Sequence, residues 1–385
     1  MDHPTSSGLY LHIPFCQTKC PYCDFFSVTD PSLISSFLAA LDQEARLYRD
    51  QFPAFDSLFL GGGTPSLLDA AQLGALVASL RRHFDFAPDS EITLEANPDD
   101  ITSEKLRLFR ELGINRLSLG VQSFDEAELC FLGRRHTAAQ TKAAIDLIRA
   151  AGFTNLGLDL MYGLPGQSAA TWLKTLETAL SFSPEHLSCY QLTIMAGETP
   201  ALGTPMARRL ARGEISLPDE ETQREFFLLT ANFLTARGYL HYEVANFARQ
   251  GPQVKNLCYC CRHNLKYWNR TPYLGLGPAA HSFLPGRRWW NFSSVEQYGA
   301  ALHAGAAPVA EIETLTPEQI QLETLSLGFR TREGVSLATI QTQPRGDAVL
   351  AELTRSGLVR LDRGRVIATS SGLVVADRLP LWFMD

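Results

Sequence analysis

The sequence predicts an α/β fold built from six βα units, with a smaller winged-helix-like α+β domain at its C-terminal end. Three observations carry that prediction. Six short apolar runs alternate with amphipathic helical stretches through the first half of the chain. Polar side chains collect where each run ends, as they do at the C-terminal ends of parallel strands. After residue 315 the pattern changes to helix, helix, hairpin and helix. Continuous apolar runs joined by helices indicate parallel strands covered on both faces. Six such units make either a doubly wound sheet or most of a (β/α) barrel, and periodicity does not choose between them.

The runs are "GLYLHIPF" (8–15), "SLFLGGG" (57–63), "EITLEANP" (91–98), "RLSLGVQS" (116–123), "NLGLDLMYG" (155–163) and "HLSCYQLTI" (186–194). Residues 31–50, 67–84 and 137–152 carry helical periodicity between them, the last stopping at Gly152 as a helix C-terminus often does. The run ends place Gly61 to Thr64, Glu95 with Asn97, Gln122 with Ser123, Asp159 with Tyr162, and Gln191 with Thr193 on one rim. A single polar residue there is as readily a loop cap, but a ring of them predicts a shared site. Near residue 200 a connection containing Pro, Gly and Arg leads into an amphipathic helix at 224–238 and a strand at 238–248. A stretch rich in aromatics, Cys and His (258–283) then lacks regular period. The expected organisation is a core of residues 1–200, a connecting region of 201–315 and an accessory domain of 316–385.

At 385 residues, 45% hydrophobic and 19% charged, the chain has ample material for a core. A net charge of −7 provides no basic field for nucleic acid. No apolar run reaches the roughly 20 residues a bilayer crossing needs. The polar start "MDHPTSSG" lacks the basic and apolar parts of a secretory signal, so a cytoplasmic location is expected.

Eight cysteines in such a chain are not expected to form structural disulfides. Cys130 ("AELCFLG") and Cys189 ("HLSCYQL") sit in apolar surroundings and are expected to be buried packing residues. Cys16, Cys20 and Cys23 form a C-x3-C-x2-C triplet just after the first run. Structural zinc sites are closed by four ligands, and His12 is the residue that could complete a Cys3His set. A cubane iron–sulfur cluster offers four irons, so three thiolates leave one iron open to a small molecule.

With this triplet at the end of a first strand, the chain resembles the radical S-adenosylmethionine (SAM) superfamily, including the aromatic Tyr22 between the second and third cysteines. "GGGTP" at the end of the next run matches the superfamily's glycine motif. The resemblance implies a partial (β/α)6 TIM-like barrel holding a [4Fe-4S] cluster on Cys16, Cys20 and Cys23, with SAM on the open iron. "LYLHIPFCQTKCPYCDF", "LEANP", "RLSLGVQSF", "LGRRH", "LDLMYGLPGQ" and "HNLKYW" extend the resemblance to the oxygen-independent coproporphyrinogen III oxidase-like family, which includes heme chaperones. It implies that Gly62, Gly63 and Thr64 hold the methionine end of SAM, and that Glu95, Gln122, Arg134 and Asp159 line the rest of its pocket. Tyr10 is placed near the cluster, and Thr193 is implied as a contact from the last strand.

Two departures set the chain apart from the oxidase pattern: Phe25 stands where that pattern has a fourth cysteine, and the long N-terminal extension is missing. Both fit the heme-chaperone group, which implies heme as cargo, acceptor hemoproteins as partners, some at a membrane, and a location peripheral to its inner face. A homodimer is compatible with this reading. "HNLKYW" matches a motif linked to heme in that group, which makes His263 the expected ligand with Tyr267 and Trp268 packing on the porphyrin. His281 in "GPAAHS" is a secondary candidate. Cys258, Cys260 and Cys261 are open to a metal, a heme thiolate or no ligand role. The alternative function is the oxidase itself, decarboxylating two propionates of coproporphyrinogen III, or another radical SAM reaction on the same scaffold.

Overall fold

A computed structural model of the chain describes residues 7–52, 54–194, 203–250 and 259–384. Each of the six apolar runs is a strand: β1 (Ser7–Ile13), β2 (Phe55–Gly62), β3 (Phe86–Ala96), β4 (Arg116–Gln122), β5 (Leu156–Tyr162) and β6 (His186–Gln191). They pair in sequence order, all parallel. Six helices cover them: α1 (Ile34–Tyr48), α2 (Ala70–His83), α3 (Ser103–Glu111), α4 (Glu126–Phe131), α5 (Ala138–Ala150) and α6 (Ala169–Ser181). Asp69, Thr137 and Ser168 start α2, α5 and α6 with reciprocal capping boxes, satisfying N–H groups the first turn would leave unpaired. Leu9, Leu11 and Ile13 of β1 are fully buried in the core shared with the helices. Tyr10 and His12 alternate onto the opposite, inner face.

After α7 (Pro205–Ala211) and α8 (Glu220–Thr235), the stretch expected as a single strand is a hairpin of β7 (Tyr239–Glu243) and β8 (Asn246–Arg249). The buried Glu243 carboxylate makes the turn, accepting from Ala245 N (3.0 Å) and Asn246 Nδ2 (2.7 Å). The aperiodic stretch that follows is also ordered, as α9 (Arg262–Trp268), β9 (Tyr273–Leu276), β10 (His281–Leu284), β11 (Arg287–Asn291), α10 (Val295–His303) and β12 (Val309–Thr314). β9 pairs parallel to β1, so one continuous sheet runs β12-β11-β10-β9-β1-β2-β3-β4-β5-β6-β8-β7. This is the partial TIM-like barrel that the resemblance implies, extended at both edges by antiparallel strands.

The C-terminal order matches expectation: α11 (Pro317–Phe329), β13 (Val335–Ser336), α12 (Leu337–Gln341), α13 (Gly346–Arg355), the hairpin β14 (Val359–Asp362) and β15 (Arg365–Ala368), and α14 (Ser370–Val374). Its sheet, β13-β15-β14, and its own core of Leu325, Phe329, Ile340, Leu353 and Phe383 are separate from the barrel's. Among the described residues no helix is long and apolar enough to cross a membrane.

Glu44 of α1 is fully buried and ties the added strands to the barrel. It accepts from Gly277 N (2.8 Å), Asn291 Nδ2 (2.6 Å) and Tyr298 OH (2.6 Å). Burial pushes its carboxyl up to about 7, against the opposing pull of these three donors. The folded state therefore holds this proton more tightly than the unfolded chain does, and the contribution is full below pH 4.5 and lost as pH rises through 7. The expected loss is about 3 kcal/mol. Urea unfolding across that range checks it: Glu44→Gln should flatten the pH dependence, and parallel curves for the two proteins would refute it.

Candidate functional site

The loop after β1 is held by the end of β2. Gly63 N donates to Ile13 O (2.8 Å), Thr64 N to Phe15 O (2.8 Å), Cys16 N to Val28 O (2.9 Å) and Val28 N to Pro14 O (2.7 Å). A Cβ on Gly63 would lie 2.7 Å from Phe15 O and 3.0 Å from Ile13 O, and Gly62 has φ +109°, so two of the three glycines are required by the backbone. This grip presents Cys16, Cys20 and Cys23, all half-exposed, at the rim. Thr64 Oγ1 points a donor at Cys16 Sγ (3.6 Å), and Arg134 Nη1 points one at Cys20 Sγ (3.4 Å). Burial raises the Cys23 thiol, and Cys20 and Cys16 add to the rise, as expected for three sulfurs sharing one neighbourhood. Donors aimed at sulfur favour thiolates, the form that ligates iron. His12 does not complete the set, because Nδ1 pairs with Tyr10 OH (3.1 Å) and Nε2 with Phe26 O (2.8 Å). Among the described residues no three His, Cys, Asp or Glu side chains close on a single-ion site. A four-iron cluster instead takes each thiolate on a different iron.

Beside the cysteines lies a cavity whose walls include Tyr22, Gly62, Gly63, Thr64, Glu95 and Gln122, with Arg134 and Asp159 deeper in the barrel mouth. Eight residues expected from the sequence thus converge here with Cys23. Gly62 N donates to Glu95 Oε2 (3.2 Å) and Ser118 Oγ to Asp159 (3.2 Å). Burial first, and Asp159 second, push Glu95 up to about 8, while burial raises Asp159 against Ser188, Arg116, Ser118 and Arg134. Arg134 is held by Gly120 O (2.9 Å) and Asn97 Oδ1, and Asn97 in turn donates to Thr64 Oγ1 (3.3 Å). Gln122 has φ +66° in a tight turn closed by Ser123 N to Val121 O (2.8 Å), a strained conformation for a side chain of this size. Tyr190 OH holds it by donating to Gln122 Oε1 (2.5 Å).

Tyr10 stands two residues below His12, against Glu95, rather than on the cavity wall. Thr193 lines a separate cavity between β6, α8 and α14, and Tyr190 is the residue of β6 that reaches the site. Strand register explains the difference: Asp159 pairs with Ser188, and alternation puts Tyr190, not Thr193, next on the same face. Tyr190 and Ser118 were legible only through that alternation, whereas Asn97 stands on the rim where the strand end placed it. Cys189 is buried as expected, whereas Cys130 is exposed, because its α4 neighbour Leu129 takes the inward position.

The second cluster of expectations lies on and around α9. His263 is fully buried, Nδ1 pairs with Ser57 Oγ (3.1 Å) and Nε2 with Tyr267 OH (2.9 Å). Burial lowers its imidazole to about 3, with Lys266 adding to the fall. A Cβ on Gly8 would lie 3.0 Å from the His263 ring, so the ring packs at the start of β1, the end of the barrel away from the cysteines. In this conformation His263 has no nitrogen open to iron, and Tyr267 is spent holding it. Trp268 lies on the other side of α9, in a cleft with Arg270, Thr331 and Arg365. The imidazole that the motif marks as a ligand therefore packs here with both nitrogens hydrogen-bonded. Cys261 is buried with its thiol raised to about 12 by burial; Cys260 is buried and disulfide-bonded, against the expectation of reduced cysteines, and Cys258 lies outside the described residues.

The radical SAM superfamily model matches residues 10–179, and the HemN C-terminal domain model matches residues 315–375. The heme chaperone HemW of Mycobacterium tuberculosis is 36% identical over 378 residues, covering 96% of this chain and 93% of the relative. The Bacillus subtilis HemW is 33% identical over 96% of this chain and 97% of its own. The Escherichia coli HemW is 37% identical over 71% and 69%. Among solved structures, coproporphyrinogen III oxidase (HemN) from Escherichia coli, described as a radical SAM enzyme, overlays with a TM-score of 0.80 at 25% identity, over 99% of this chain and 91% of that one.

Proposed function

Because this chain belongs to the radical SAM superfamily, in the family of the heme chaperone HemW, we propose that it is a heme chaperone carrying a [4Fe-4S] cluster and SAM. Cys16, Cys20 and Cys23 would hold the cluster, which when bound supplies an open iron for the amino and carboxylate groups of SAM. The carrying observation is the convergence of those cysteines with Gly62, Gly63, Thr64, Glu95, Gln122, Arg134 and Asp159 on one rim. Glu95 and Asp159 suit ribose hydroxyls, and Arg134 suits a carboxylate. Heme enters through the relatives' names, and acceptor hemoproteins are the partners this reading implies.

The likeness to the Escherichia coli oxidase favours a second reading, oxidative decarboxylation of coproporphyrinogen III. Phe25 bears against it. Its ring is 69% exposed beside the cysteines, where the oxidase pattern has a thiol, and phenyl ligates nothing. Anaerobic reconstitution separates the two. Heme titration should produce a bound Soret band, and coproporphyrinogen with SAM and reductant should remain unconverted. Protoporphyrinogen formed over many turnovers would replace the chaperone reading with the oxidase.

The SAM assignment makes its own distinction at the end of β6. Thr193→Ala should leave SAM affinity unchanged within about twofold, whereas Tyr190→Phe, which frees the strained Gln122, should weaken it about tenfold. Equilibrium dialysis against the reconstituted protein reads both; equal losses would place the contact at Thr193 after all.

A further inference from the structure

A charged side chain sealed inside a protein without an ion pair is costly, and a fold that keeps one needs its charge. Arg116, the first residue of β4, is only 1% exposed. It forms no salt bridge with a described residue, and its Nε has no hydrogen-bond partner. The side chain is turned into the barrel. Ser118, two residues on, shares its face, pairs beside Glu95 and donates to Asp159 (3.2 Å). The guanidinium reaches across to β5, where the Cβ that Gly157 lacks would lie 3.3 Å from Arg116 Nη2 and 3.5 Å from Ser118 Oγ. Gly157 is two residues before Asp159, so this cation sits one strand repeat, roughly 7 Å, beneath Asp159 on the same inner face.

Burial opposes the charge of Arg116, and Cys261, Glu91, Tyr242 and Asp159 oppose burial. Burial also keeps the Cys261 thiol and the Tyr242 phenol protonated, which leaves two carboxyl groups, Glu91 and Asp159, as the counter-charges. Glu91 is engaged by α9, accepting from His263 N (3.3 Å) and Cys261 Sγ (3.5 Å). Asp159 has a competitor instead, because Glu95 is buried beside it and the two repel. The titratable groups facing Asp159 are Glu95 from β3, Arg116 from β4, Arg134 from the loop after α4, and Cys189 and Tyr190 from β6. Burial holds Cys189 and Tyr190 neutral, so the balance at Asp159 is one like charge against two arginines. Arg134 already points a donor at Cys20 Sγ (3.4 Å), and on the SAM reading its charge is matched by the SAM carboxylate.

Resting on that SAM reading, we propose that Arg116 is a positioning residue for SAM, the standing cation beneath the cavity that keeps Asp159 a carboxylate facing the ribose. An ionised carboxyl offers acceptors to both ribose hydroxyls, whereas a protonated one gives up part of that capacity and the charge that strengthens it. Arg116 touches no part of SAM in this arrangement and acts through Asp159.

Equilibrium dialysis of SAM against the full-length, cluster-reconstituted protein, from about pH 6 to about pH 9, tests this. Arg116→Met should weaken binding about tenfold near neutral pH and move the rise of affinity with pH upward by about one unit, because losing the cation favours the protonated carboxyl. Affinity should return as pH rises, a recovery that a merely structural defect would not show. Arg116→Lys, which keeps the charge, should regain most of the affinity. In an Asp159→Asn protein, whose amide does not titrate, adding Arg116→Met should cost nothing further. That pair also carries the test if the stranded carboxyl keeps Arg116→Met alone from folding. No loss in Arg116→Met, a loss equal at every pH, or a loss that persists beside Asp159→Asn overturns the assignment and leaves the SAM reading standing. Wild-type protein that binds no SAM would end both.

Discussion

Cys20→Ala is expected to give a folded protein that takes up no intact cluster. The fold should survive because Cys20 sits half-exposed on a loop and contributes little apolar burial. Its partner Arg134 loses one weak acceptor at 3.4 Å but keeps Gly120 O and Asn97 Oδ1, so no buried cation is stranded. The stability change should therefore stay within about 1 kcal/mol. Cluster assembly has no such reserve. His12 is committed to Tyr10 and Phe26, and Phe25 offers no donor atom, so neither supplies a replacement thiolate. Iron and sulfide analysis after anaerobic reconstitution should fall to a small fraction of wild type, and the change in the EPR signal on adding SAM should vanish. Full iron and sulfide content with an unchanged SAM response would show that the triplet is not the cluster site.

Gly63→Ala should be the most damaging small change in the barrel mouth. Its added carbon meets Phe15 O at 2.7 Å, Phe15 N at 2.9 Å and Ile13 O at 3.0 Å, all backbone and none able to swing aside. Either the hydrogen bonds from Gly63 N and Thr64 N break, or the whole cysteine loop shifts outward. A cost of about 2–4 kcal/mol is expected, with cluster occupancy falling in parallel. Gly74→Ala in α2 is the matched control, since nothing lies within 4 Å of its added carbon. Removing a helical glycine there should stabilise by about 0.5–1 kcal/mol. Urea unfolding of the two variants checks the contrast; similar midpoints would mean that the grip of β2 on the loop is slack.

Much of this molecule was readable in advance, for reasons visible in particular residues. The six parallel strands were legible because their helix-facing residues are fully buried, so Leu9, Leu11 and Ile13 or Leu156, Leu158 and Leu160 announce themselves as apolar runs. The cysteine triplet and "GGGTP" were legible because their chemistry is local: spacing along the chain is nearly spacing in space. Edge strands gave a weaker signal. β9 has four residues and β7 and β8 are separated by a two-residue turn made by a buried Glu243, which reads as an ordinary polar residue within a strand.

The histidines mark the boundary most clearly. A motif names His263 but carries no information about what surrounds it, and Ser57, 206 residues away, takes one of its nitrogens while Gly8 gives its ring room. Likewise nothing near His281 in the chain says that β10 will lie beside β9 and that β9 will pair with β1. The sequence by itself determined the βα repeat, the three thiolates and the polar rim, because these depend on local periodicity and strand-end position. Only the tertiary structure decided which imidazole is sealed and which is open, because access to a ring nitrogen depends on contacts between segments hundreds of residues apart.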